Sequence, residues 1–225
     1  NSPWPKYGQN NQNTHRSRLL NGLIAYYPFN GNANDESGND HNGTVNGATI
    51  STDRHGDANS SYSFDGTNDY IHVPHAASLN IPNGLTLSAW VKRNTNATTG
   101  TVITKGSSYV GNDNYDFALE LGSDNLPVYS WRSFPSAHHN AIGNDQVSIG
   151  KWQHLVITHN SGSPSVIYID GIKESNSTDS TPRHLWNQYI TLGMNPTTSS
   201  SQGRAHFDGK IDDVRIYNRT LSPSE

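Results

Sequence analysis

The 225-residue chain sets 15 Lys and Arg against 19 Asp and Glu, a formal charge of −4, and has no basic block. It therefore lacks the clustered cations that nucleic acid binding requires. Cysteine is absent, which excludes disulfides, zinc–thiolate sites and thiol nucleophiles, and no apolar run reaches the roughly 20 residues needed to span a bilayer. Hydrophobic residues make up 32% and charged residues 15%, leaving a surface of Asn, Ser, Thr and Gly suited to hydrogen-bonding sugars.

Residues 1–20 hold Pro3, Pro5 and the run Gln9-Asn10-Asn11-Gln12-Asn13 without apolar periodicity, and they read as a linker or tail. Residues 21–225 fit one all-β domain. The start at Asn1, with no signal peptide, reads as a processed or excised piece of a larger multidomain chain, within which this module is a monomer. The lack of cysteine favours a secreted bacterial protein.

Twelve short apolar runs follow in order, over residues 23–29, 43–50, 61–64, 70–73, 85–92, 101–105, 115–121, 128–132, 152–159, 165–169, 189–193 and 207–217. Most alternate with period two. Over 85–92, Leu85, Leu87, Ala89 and Val91 share one face, and Thr86, Ser88, Trp90 and Lys92 the other. Asp65-Gly66, Asn83-Gly84 and Asp170-Gly171 are hairpin signals between such runs, because they accept the positive backbone angles of tight turns. Helix is confined to a turn around 75–80 and another at 221–225. The pattern predicts an all-β, two-sheet antiparallel sandwich of jelly-roll type.

Residues 30–41, rich in Asn, Gly and Asp, follow the first strand as an oxygen-rich loop, and residues 208–218 form a last strand with adjacent carboxylates. If the two ends of the chain meet, Asp35, Asn39 and His41 converge with Asp212 and Asp213 on one spot that calcium could bridge. Simple alternation puts Asp212 on the core side with Val214 and Ile216, where a carboxylate needs a partner. The alternative is that Asp35 and Asn39 cap turns and Asp212 accepts backbone N–H groups. An EF-hand is excluded, because Asp35 stands where that loop needs Gly and His41 where it needs Glu.

The series LIAYYPFNGNANDESG over 23–38, YSFDG over 62–66, LTLSAWV over 85–91, GKWQHLV over 150–156, VIYIDG over 166–171 and the segment 209–221 resembles the laminin G-like, concanavalin A-like jelly-roll family. The resemblance implies a jelly roll, a structural calcium between the loop and the last strand, and, in exported bacterial proteins, an accessory module beside a polysaccharide-degrading domain. Asp40 departs from the family's frequent Gly. Because the fold also hosts lectins, adhesins, glycosidases and lyases, fold alone does not fix function.

A sugar site needs an aromatic platform flanked by planar polar groups. Tyr109, Asn114, Trp131, Arg132, His138, His139 and Trp186, in the middle loops, are the candidates, and Arg132 beside Trp131 could grip an acidic polysaccharide. Trp90 and Trp152 read as core. Catalytic residues are not expected. Glu36, Glu120, Glu174 and Glu225 form no Glu-x-Asp-x-x-Glu pattern, the Gln-x-His pair of jelly-roll lyases is missing, and neither Gly-x-Ser-x-Gly nor His-Glu-x-x-His occurs. The expected function is a noncatalytic, calcium-stabilised module binding a polysaccharide or oligosaccharide. The alternatives are a protein-binding adhesin or structural module, and a lyase or glycosidase of the same fold.

Overall fold

Alternating apolar and polar residues build fifteen strands: β1 (Leu23–Tyr27), β2 (Thr44–Asn46), β3 (Thr49–Ser51), β4 (Ser61–Asp65), β5 (Tyr70–Val73), β6 (Leu85–Arg93), β7 (Gly100–Tyr109), β8 (Asn112–Leu121), β9 (Pro127–Ser133), β10 (Ala137–Ile142), β11 (Trp152–Asn160), β12 (Ser163–Ile169), β13 (Ile172–Lys173), β14 (Ile190–Leu192) and β15 (Asp208–Tyr217). The computed structural model describes residues 20–96, 98–109, 112–135, 137–175, 177–196 and 205–225, with the side chains of 107–109 and 112–114 outside that description. All but the last residue of the expected tail, 1–20, also lies outside it. The helical turn expected around 75–80 is a short 3₁₀ segment, Ala77–Leu79.

All pairing is antiparallel and divides into two sheets, as the pattern predicts. The first runs β13-β12-β11-β6-β15-β4-β3, and the second β10-β9-β8-β7-β14-β5-β2. β1 lies against the same edge of β15 as β4, end to end with it: β4 pairs with Asp208 to Ile211, and β1 with Val214 to Tyr217. The two ends of the chain do meet, in adjacent strands. Leu85, Leu87, Ala89 and Val91 of β6 face Leu119, Tyr129 and Trp131 of the second sheet within one core, all fully buried. Of the three expected hairpins only Asp170-Gly171 is one, joining β12 to β13 with φ of 51° and 80°. Asp65-Gly66 and Asn83-Gly84 instead carry the chain from one sheet to the other, and of the two only the first uses a positive φ, 75° at Gly66.

Gly193, with φ of 84°, follows β14 of the second sheet and packs against Phe64 of the first. A Cβ there would sit 2.4 Å from the Phe64 ring, so any side chain would displace a fully packed aromatic.

The core also encloses polar groups. Lys105 and Asp116 form a buried ion pair, completed by Asn80 Oδ1 and the Trp186 carbonyl on the ammonium and by the Trp186 N–H on the carboxylate. His159 is 1% exposed, and burial, reinforced by Arg183, pushes its pKa down to about 3 against the pull of Asp179. A base whose folded pKa is depressed contributes stability above its unfolded value of ~6.5 and loses it as pH falls toward the folded value. Lowering the pH from 7 to 5 in halide-free buffer is expected to cost about 2 kcal/mol through His159 alone. Urea titrations of the parent and His159→Gln at both pH values check this, since the variant's acid slope should be shallower by that amount.

Candidate functional site

The outer face of the first sheet carries the side chains that alternate with the core set. Register places Tyr26 opposite Arg215, Arg215 opposite Ser88, Ser88 opposite Val156 and Val156 opposite Tyr168, so these five form one row across β1, β15, β6, β11 and β12. A second row beside it sets Leu23, Tyr217, Thr86 and Thr158 side by side. Together with His154 and the segment Leu221 to Glu225, most of these residues line a groove of about 520 Å³. Two tyrosines, Tyr26 and Tyr168, mark the two ends of the first row, both half-buried.

Electrostatics hold this face still. The Arg215 guanidinium lies 4.6 Å from the Tyr26 ring centroid, forms an ion pair with Asp213 Oδ1 at 2.7 Å and donates to Tyr26 Oη at 3.3 Å. Burial is the largest influence and opposes the Arg215 charge, but Asp213, Tyr26 and Tyr217 together outweigh it and raise its pKa. Beside the row, the Trp90 indole is held between His154, stacked at 5.1 Å, and the Arg54 guanidinium at 4.8 Å. His154 shares a 2.8 Å hydrogen bond with Ser88 Oγ, and burial, then Arg215, lowers its pKa, which leaves a neutral ring at pH 7. Such a floor offers aromatic faces and neutral and cationic donors on rigid strands.

Asp212 belongs to this face and not to the core. It pairs with Trp90, after which the register shifts before Arg215 pairs with Ser88, and Asp213 takes a left-handed φ of 55°. One extra residue, a β-bulge, therefore flips the alternation and keeps Val214 and Ile216 inside. Both carboxylates fall at the junction where β4 gives way to β1, and there Arg54 donates Nη1 to Asp212 and Nη2 to Asp213, the latter at 2.9 Å.

The calcium set does not fit a metal cage. Asp35 Oδ1 accepts the N–H groups of Tyr26 at 2.8 Å and Ser37 at 2.9 Å, while Oδ2 accepts the His41 N–H at 3.0 Å and the Ser37 hydroxyl at 2.9 Å. Asn39 donates its amide to the Ile24 carbonyl at 3.2 Å, and His41 Nε2 bonds Ser78 Oγ at 2.9 Å. The loop side chains are spent on turn capping, the alternative stated above, and two guanidinium groups, Arg54 and Arg215, already face Asp212 and Asp213. Among the described residues no three Asp, Glu or His side chains group as metal ligands.

The loop set scatters. Trp131 is fully buried between the sheets, stacked on Tyr129 at 5.3 Å and on His139 at 5.5 Å, with Nε1 donating to the Thr181 carbonyl at 3.0 Å. It is a core residue, because its position on β9 faces inward alongside Phe117. His139 is tied to Asp179 at 2.7 Å and to Ser133 at 2.8 Å. Arg132 lies 5.1 Å from the Tyr115 ring, and exposed His138 meets the same ring edge-on. Trp186 is half-buried against His184, which also touches exposed Phe134. The side chains of Tyr109 and Asn114 lie outside the described residues. Sequence reading passed over Tyr26, Tyr168, Arg215 and Trp90. The signal that could have found them was the polar face of each amphipathic strand, read together across neighbouring strands.

Residues 65–225 match the Laminin_G_3 family, described as the concanavalin A-like lectin/glucanases superfamily. The chain belongs to this superfamily. No curated protein sequence matches it significantly. Among solved structures, the concanavalin A-like fold recurs in domain 4 of AbnA, a GH43 extracellular arabinanase from Geobacillus stearothermophilus, in complex with arabinotriose; TM-score is 0.69 and identity 25%, over 90% of this chain and 95% of that one. The binding domain of Paraclostridial Mosquitocidal Protein 1 matches with TM-score 0.71 and 21% identity over 92% of this chain, and the botulinum neurotoxin serotype D ligand-binding domain in complex with N-acetylneuraminic acid with 0.69 and 17% over 92%. This chain spans only 51% and 50% of those toxin domains, so they share its jelly roll and nothing more is carried over.

Proposed function

We propose that this chain is a noncatalytic carbohydrate-binding module that works outside the cell and holds an oligosaccharide along the outer face of the first sheet, between Tyr26 and Tyr168. The groove and its cross-strand row carry the reading. Sugar rings present C–H faces to aromatic rings and hydroxyl edges to polar groups, and this row sets Arg215 and Ser88 between two tyrosines. The end-to-end match to the arabinanase domain bound to arabinotriose supports a short pentose oligosaccharide as the first ligand to try.

Binding rather than hydrolysis follows from the acids present. Among the described residues Glu225 is the one carboxylate lining the groove, and bonds from Arg219, then Ser222, bring its pKa down to about 2. A retaining glycosidase needs two carboxyl groups about 5 Å apart, one of them held protonated. Calcium is not part of this reading, because its expected donors are engaged elsewhere.

Titration calorimetry with arabinotriose, backed by a glycan array, tests the proposal. Tyr168→Ala is expected to weaken binding at least about tenfold, the worth of one aromatic contact, with the melting temperature little changed. Trp186→Ala, in the segment between β13 and β14 that bonds the second sheet, should bind as the parent does. If Trp186→Ala loses affinity and Tyr168→Ala does not, the site belongs in the middle loops. If no glycan binds at all, the adhesin alternative takes its place.

A further inference from the structure

Arg183 lies in the segment that closes one end of the sandwich, between β13 and β14, and is 7% exposed. Its Nη2 donates to the Ile81 carbonyl at 2.6 Å and its guanidinium lies 5.7 Å from the Phe117 ring, but Nε and Nη1 have no partner. Among the described residues two further buried polar atoms lack partners in the same interior, one from each sheet: the Tyr129 hydroxyl on β9, fully buried, and His159 Nε2 on β11, with the two rings 5.7 Å apart. The Arg183 charge acts on both of them.

The charges in this interior do not balance. Among the described residues Lys105 and Arg183 share one fully buried carboxylate, Asp116, whose two oxygens are already taken by the Lys105 ammonium and the Trp186 N–H, while Asp179, which also acts on His159, is part-exposed and tied to His139. Arg183 cannot shed its proton, and an uncompensated buried cation is costly. The free atoms are also of one kind. The Arg183 nitrogens can only donate, and His159 Nε2 donates when Nδ1 accepts from Ser165 Oγ at 2.8 Å. The Tyr129 hydroxyl turns to suit. A water molecule there could bond these atoms, the Tyr129 oxygen included, but would bring no charge to offset the Arg183 cation. Thr104 Oγ1, also without a partner, stands in the row Thr104–Ala118–Ser130 on the opposite face of the second sheet and supplies no acceptor.

We infer that Arg183 and the Tyr129 hydroxyl bind a small monovalent anion, chloride in ordinary media, inside the sandwich. The ion completes the charge balance and pins the closing segment that carries His184 and Trp186. Its charge would also favour protonation of His159, so the acid slope described above belongs to halide-free buffer.

Melting temperature measured at constant ionic strength, exchanging sodium gluconate for sodium chloride or bromide, is expected to rise with the logarithm of halide concentration in the parent. Tyr129→Phe, which keeps the charge and the ring, should need about tenfold more halide for the same rise, and Arg183→Met should not respond. Should Arg183→Met fail to fold, Tyr129→Phe still decides. Crystals grown in bromide should show an anomalous peak within hydrogen-bond distance of Arg183 Nε or Nη1. A melting temperature indifferent to halide, with water and no anomalous scatterer at that position, would overturn the inference.

Discussion

Trp131→Ala is expected to lower the free energy of unfolding by about 3–5 kcal/mol, a large share of the 5–15 kcal/mol that holds a typical domain together. The indole is fully buried, so truncation removes apolar contact area and leaves a cavity that β-strands fixed on both sides cannot close. It also strips Tyr129 and His139 of their stacking partner and leaves the Thr181 carbonyl without its donor. Trp131→Phe keeps the stacking and should recover part of the loss. Urea unfolding of the three proteins measures this, and glycan affinity of the folded Trp131→Ala protein should equal the parent's. A variant that keeps its stability and loses affinity would return Trp131 to the ligand.

The fold was legible because period two recurs along the chain. Each run such as 85–92 states which residues face inward, and enough runs with no helical layer leave a two-sheet sandwich as the economical burial. β10 and β13 were missed because Ala137–Ile142 and Ile172–Lys173 carry exposed, mostly polar edge positions without an apolar stripe. Turn chemistry was legible without its destination. Asp65-Gly66 supplies the positive φ of a turn, but whether the next strand pairs or crosses to the other sheet depends on partners far along the chain.

The site was less legible for a related reason. A binding face on a sheet is assembled from single residues of strands distant in sequence, so Tyr26, Arg215, Ser88 and Tyr168 never sit in one motif. Trp131 and Arg132 do, but adjacent residues on a strand point to opposite faces, and the pair reads as a unit only in one dimension. Asp212 was misplaced by one residue, since a bulge at Asp213 is invisible to strict alternation. The ends of the chain are joined otherwise than by the expected clasp of loop and last strand: β1 pairs directly with β15, and Arg54, from the segment before β4, holds Asp212 and Asp213.

Arg54→Met is expected to cost about 3 kcal/mol, because it leaves Asp212 and Asp213, 4% and 9% exposed at their side chains, with Arg215 as the one remaining cation in contact. Methionine preserves the apolar contact with Trp90, so the loss reads the charge. The deficit should depend on pH with a definite sign. Burial raises the Asp212 pKa to about 6 despite Arg54, and an acid whose folded pKa is raised contributes stability below its unfolded value and loses it as pH rises through the folded one. Without Arg54 the ionised carboxylate is costlier still, so the gap between variant and parent should widen above pH 6 and narrow below it. Adding Asp212→Asn to Arg54→Met should restore much of the stability at pH 7, since it removes the unpaired charge. Chelator should leave the melting temperature of the parent unchanged, because the guanidinium already occupies the position between the two carboxylates. If chelation instead lowers it by several degrees while Arg54→Met is neutral, a metal and not Arg54 holds β15 to the loop that precedes β4.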